Sequence, residues 1–124
     1  YISKVLRGKN KPTFNPHMDN GDFVVVTNID KIKFSGKKFK NKIYYRHTGH
    51  PGGIKESTPL MLKEKNKTQD ILKMAVKRML PGGPLAKKQL TKLKIYNGEE
   101  HPHDIQKPKV VDFKNLNNKN LVRN

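Results

Sequence analysis

In "IYYRHTGHPGGIK", residues 43 to 55, two tyrosines, an arginine and two histidines run into a Pro-Gly-Gly turn with a lysine behind it. Three chemistries use that mixture: a metal site, an acid–base centre, or a grip on a phosphate backbone. His47 and His50 are three residues apart, and His101 and His103 are two apart with Asp104 beside them. Zinc needs three or four converging ligands, and nothing in the sequence brings these two pairs together. General acid–base work needs a nucleophile or a substrate pocket beside the base. No nucleophile elbow, Walker loop or dinucleotide fingerprint is present, and "PGGIK" and "PGGP" lack the strand, loop and helix spacing of a nucleotide cradle.

For RNA the same residues make direct sense. Arg46 and Lys55 reach phosphates, His47 and His50 stack on or hydrogen-bond to unpaired nucleotides, and Gly52 and Gly53 let backbone amides approach closely. Tyr44 and Tyr45 also fit as plain strand residues, one buried and one not. Thr48 and Gly49 are expected to be turn residues. Composition favours the same partner: 27 Lys and Arg against 10 Asp and Glu leave a net charge of +17, spread along the chain. Such a charge opposes a compact fold unless a polyanion neutralises it. No apolar run approaches the roughly 20 residues of a spanning helix and no signal-peptide core is visible, so no membrane partner is expected. Zero Cys excludes disulfides and thiolate zinc sites. At 124 residues and 33% hydrophobic content, one domain with one modest core is expected.

The elements that must position these residues follow from periodicity. "YISKVLRGKNKP" has Ile2, Val5 and Leu6 on one side of a helix that Gly8 stops, and "NPHMDNGD" is a loop. Phe23 to Val26 form a continuous apolar run, expected as a strand buried on both faces. "KIKFSG" alternates and is expected as a short strand or edge, and "KNKIYYRHT" is a third strand. Ser57 or Thr58 caps a short helix begun by Pro59. A longer helix runs from Thr68 to about Leu80, with Ile71, Leu72, Ala75, Val76, Met79 and Leu80 on its apolar arc and Lys73 and Lys77 outside it. Arg78 is placed to lay its stem along the core and carry its head to a partner.

After "PGGP", Pro84 opens a helix with Leu85, Ala86, Leu90 and Leu93 inward and Lys87, Lys88, Thr91 and Lys92 outward; "LKIY" is a last short strand. Across these two helices Lys73, Lys77, Lys87, Lys88 and Lys92 meet a single acid, Asp70, which favours RNA contact for some of them. "EEHPHD" is a turn with locally satisfied histidines. The tail holds one apolar patch, "KVVDF", before an Asn- and Lys-rich end.

Taken together, "LRGKNKPTFNPHMDNGDFVVV", "YYRHTGHPGGIK", "AVKRMLPGGPLAKKQLTKLKIY" and "EEHPHDIQKPKV" resemble, in order and spacing, the bacterial and organellar large-subunit ribosomal protein of the L-thirteen family. The resemblance spans about Leu6 to Phe113. It implies an α/β fold, three-layer α/β/α around a mainly parallel sheet, with residues 1–113 as one rRNA-binding domain and 114–124 as a basic extension. It implies a structural component of the large subunit that binds large-subunit rRNA and supports early assembly, beside neighbouring ribosomal proteins, in a bacterial cytoplasm or mitochondrial matrix. No catalysis, cofactor, metal or small-molecule substrate is implied. Carried onto this sequence, the family's RNA-contacting segments place Arg7, Lys9, Lys11, His17, Arg46, His47, His50, Lys55, Lys77, Arg78, Lys87 and Lys88 near RNA.

The family has a first strand and a Gly-rich helix start before the position of Tyr1, so an incomplete chain is the expectation here. Ala86 stands where the family often has Gly, and the Asn-rich end is unmatched. Two rivals remain at this stage: a His-based metal-dependent hydrolase built on "HTGH" and "HPHD", and a regulator that binds messenger RNA through the same surface.

Overall fold

A computed structural model describes residues 1–111. Helix α1 (Ile2–Arg7) ends because Gly8 takes a left-handed φ of 78°, letting its own N–H reach the Val5 carbonyl and the Lys9 N–H reach that of Lys4. This two-bond cap satisfies carbonyls that a helix end otherwise strands. The chain then loops back tightly against α1: a Cβ on Gly21 would lie 1.8 Å from the Leu6 carbonyl oxygen, so only glycine fits.

Strand β1 (Val24–Val26) pairs in parallel with β4 (Leu93–Ile95), Val24 opposite Leu93 and Val26 opposite Ile95. The α/β class expected from the sequence is what the chain adopts, with a small parallel sheet and helices packed against it. Leu6, Val76, Leu80 and Leu93 form the buried core, with Ile2, Val24, Val26, Leu72, Ala86, Leu90 and Ile95 packed around it. Helix α4 (Thr68–Met79) supplies Val76, with Leu80 at its C-cap, and α5 (Pro84–Thr91) supplies Ala86 and Leu90. Among the described residues no helix is long and apolar enough to cross a membrane.

Several expectations are corrected. The strand does not include Phe23, which is 72% exposed, and its three valines are only half-buried; among the described residues β1 pairs with β4 alone. "KIKFSG" forms no strand. Asn28 adopts a left-handed φ of 56° and opens a 3-10 turn at Ile29–Lys31, which leads the chain off the ladder. Beyond it Phe34 packs on Phe39, 5.8 Å between ring centroids, in the short helix α2 (Lys38–Asn41).

In α4, Ile71 and Val76 are buried but Met79 and Ala75 are exposed, because no described element covers the strip they occupy. Helix α5 stops at Thr91, which assigns Leu93 to β4 and frees Lys92 from the helical wheel. Helix α3 (Pro59–Glu64) starts as expected, with the Thr58 hydroxyl accepting the Met61 N–H at 3.3 Å and Pro59 at the first position. The domain boundary at 113, the extension 114–124 and the end of the "KVVDF" patch lie outside the described residues.

Candidate nucleic-acid interface

Strands β2 (Tyr44–His47) and β3 (Ile54–Ser57) form an antiparallel ribbon separate from the parallel pair. The turn "TGHPGG" is closed from within. The Thr48 N–H donates to the Gly53 carbonyl and the Gly53 N–H to the His50 carbonyl, each at 2.9 Å, and Gly49 and Gly52 take φ of 93° and 69°. Thr48 and Gly49 are turn residues, as expected. Gly53 departs from expectation: its amide is engaged inside the turn, and a Cβ there would lie 2.0 Å from the Thr48 hydroxyl oxygen. Glycine serves the turn's own closure at this position.

The ribbon's register fixes its chemistry. Arg46 stands directly opposite Lys55, so the two cations share one face with Cβ atoms about 5 Å apart. Like charges in that relation destabilise a sheet unless something anionic lies between or over them. Both are exposed, and neither takes a carboxylate partner among the described residues. His47 is fixed by the Gly49 N–H, which donates to its Nδ1 at 2.9 Å; a neutral ring then carries its proton on Nε2 and offers a donor. His50 and Tyr45 are exposed, while Tyr44 is buried at the ribbon's base.

Arg78, on the last turn of α4, is brought to that base. Its guanidinium lies 6.0 Å from the Tyr44 ring centroid, and the Lys42 ammonium lies 5.2 Å from the same ring. A cation over an aromatic face is attracted by the ring quadrupole, so Tyr44 holds both charges beside the hairpin. Lys77 is exposed one residue before.

A second basic group surrounds Phe14. The Arg7 guanidinium and the Lys9 ammonium lie 5.9 and 6.0 Å from its ring centroid. Lys11 is tied down beside it: its side chain is 38% exposed and its ammonium binds the Asp22 carboxylate and the Asn20 carbonyl. Lys92, expected outward, does the same work from the other side, at 2.8 Å from Asp19 Oδ1 and 3.0 Å from the Gly21 carbonyl. These two lysines hold down a loop with few apolar anchors. His17 is exposed on that loop.

On α5, Lys87 and Lys88 are exposed. Lys87 joins Lys73 and Lys94 in lining an open groove of about 530 Å³ between α4, α5 and β4, with Leu90, Leu93 and Ile95 below them. Helical spacing also carries a residue that the sequence reading passed over. Gln89 stands four after Leu85 and three after Ala86, and it is buried at 2% exposure with its Oε1 unpartnered among the described residues.

The two histidine pairs stay apart in role. His103 shares hydrogen bonds of 2.9 Å with Tyr96 and with Gln106, and His101 accepts the His103 N–H at 3.2 Å. They are satisfied within their own turn. Among the described residues no group of three or more His, Asp or Glu side chains is arranged to hold a metal.

Comparison with known proteins points one way. The pattern that defines the family "Ribosomal protein L13" matches residues 1–102. The large ribosomal subunit protein uL13 of Neorickettsia sennetsu is 53% identical over 97% of this chain and 79% of its own length. That of Mesorhizobium japonicum is 54% identical over 96% and 77%, and that of Thermosipho africanus 56% over 90% and 74%. With a pattern match over most of its length and relatives at half identity, this chain belongs to the L13 family of ribosomal proteins.

Proposed function

We propose that this chain is a structural constituent of the large ribosomal subunit that binds large-subunit rRNA, supports early assembly of the subunit, and catalyses nothing. Membership of the L13 family supports the assembly it belongs to. The observation that carries RNA binding is the Arg46–Lys55 pair, two exposed cations held side by side by strand register with no counter-charge among the described residues. Such a pair costs the free protein stability and gains it back on a phosphate backbone.

Around it, Arg78 at the hairpin base, Arg7 and Lys9 at Phe14, and Lys77, Lys87 and Lys88 on the helices supply further phosphate contacts, while His17, His47 and His50 meet sugars and bases. Lys11 contributes by shaping its loop. Residues 1–113 act as the rRNA-binding domain.

The test is a salt series. Binding of the purified chain to a large-subunit rRNA transcript is measured from 50 to 500 mM salt. A log–log slope of about −4 or steeper corresponds to five or more phosphates at roughly 0.7 to 0.9 each. A slope equivalent to one or two phosphates would sink the proposed surface.

A further inference from the structure

The hairpin has a second face that phosphate binding does not explain. Tyr45 pairs with Glu56 and His47 with Ile54, so these four side chains lie on the side away from Arg46 and Lys55. Tyr45 is 60% exposed and Ile54 63%: an aromatic plate and an aliphatic chain stand in solvent. Glu56 is exposed beside them, and among the described residues it is in no ion pair. In a chain with 10 acids against 27 bases, a free carboxylate at the centre of a phosphate grip repels the very ligand the grip is meant to hold. Asp19, Asp22 and Glu99 each neutralise a lysine; Asp30, Glu64, Asp70 and Glu100 share with Glu56 the lack of an ion pair among the described residues, but Glu56 alone of these stands on the hairpin.

Register gives Glu56 another use. Directly opposite Tyr45, its Cβ is about 5 Å from the tyrosine's, so the edge of a base stacked on the ring comes within reach of the carboxylate. A carboxylate accepts and cannot donate. Uracil offers it one N–H between two carbonyl oxygens that it repels. Guanine offers N1–H and the N2 amino group, two adjacent donors that match two carboxylate oxygens. The His47 Nε2–H, fixed by the Gly49 bond, supplies a donor on the same face for a sugar or phosphate oxygen.

We infer that this face seats one unpaired guanine of the bound RNA, stacked on Tyr45 with its N1–H and N2 amino edge on Glu56. The inference rests on the hairpin being an RNA grip, and it narrows the target. In a duplex that edge of guanine is paired, so the hairpin meets a loop, bulge or end.

The probe is a nine-nucleotide oligouridine strand with a central guanosine, inosine or uridine, titrated against the full chain at one salt concentration by fluorescence anisotropy. The guanosine strand binds about five- to tenfold tighter than the uridine strand, the low end of what a good bidentate pair discriminates. Inosine, which keeps N1–H and lacks the amino group, falls between. Glu56→Ala brings the guanosine-to-uridine ratio to near one while the uridine strand binds as well or better, because a repelling charge is gone. Tyr45→Ala weakens the guanosine strand about tenfold, the order expected of a lost base stack, and Tyr45→Phe keeps it.

Equal affinity for guanosine and uridine in the unaltered chain overturns the inference, as does a Glu56→Ala variant that tightens both strands alike. Tyr45→Ala that leaves every strand unchanged also overturns it. Failure of the underlying grip looks different: an Arg46→Gln, Lys55→Gln variant would then keep the salt dependence of the unaltered chain.

Discussion

Replacing Arg46 and Lys55 together by glutamine should move binding and stability in opposite directions. The register places the two cations face to face, so each contributes a phosphate contact and each repels the other when RNA is absent. Two lost contacts to an unpaired strand, at about 0.7 each, lower the magnitude of the log–log salt slope by about 1.4. If variant and unaltered chain converge at 1 M salt, that difference amounts to about tenfold weaker binding at 0.15 M. In the free protein the same change removes a like-charge cross-strand pair and should raise the melting temperature by on the order of 1 to 3 °C at low salt, less at high salt. Anisotropy titrations across a salt series and thermal melts by circular dichroism read both effects. A variant that melts lower than the unaltered chain and keeps the full salt slope would refute the reasoning, because the pair would then be part of the ribbon's stability and outside its binding surface.

The remaining predictions concern what positions the interface. Leu6→Ala empties a fully buried core position shared by α1, α4 and β4 and should lower unfolding free energy by about 2 to 5 kcal/mol in urea titrations with an unchanged slope. Asp19→Asn leaves the Lys92 ammonium, whose side chain is 15% exposed, without its counter-charge; about 1 to 3 kcal/mol should be lost, with amide exchange quickened in residues 9–22 ahead of α4. Thr58→Ala removes the hydroxyl that caps α3 and should cost about 1 kcal/mol, with local exchange rising at Met61. Equal exchange throughout the chain in Asp19→Asn would show that the ion pair is not a local tether.

Much of the fold was legible because its signals are local. Gly8 could stop α1 and Thr58 with Pro59 could start α3 whatever lay around them, since each acts through its own backbone or cap. The α4 core face followed from helical period, with Ile71 and Val76 buried as the spacing required. "KIKFSG" misled because alternation reports which side chains are half-buried; whether a ladder partner exists depends on the left-handed turn at Asn28. Lys92 misled for a related reason: one residue past the helix end, its direction is set by Asp19, far away in sequence.

At the interface, the tyrosines sorted as the strand pattern demands, Tyr44 buried and Tyr45 exposed. The pairing of Arg46 with Lys55 was out of reach of composition, because a shift of one residue would have put Arg46 against Glu56 or Ile54. The Lys11–Asp22 ion pair was hidden in the same way: a lysine in a basic loop shows its partner only when the loop closes on Asp22.

The central claim is that this chain lives in the large ribosomal subunit, and one fractionation tests it most directly. A lysate of the source cells is run on sucrose gradients at low and at moderately high salt, and the protein is followed by mass spectrometry. The account predicts that it sediments with the large subunit in both, held by many contacts at once. Recovery at the top of both gradients, away from the subunits, would contradict it.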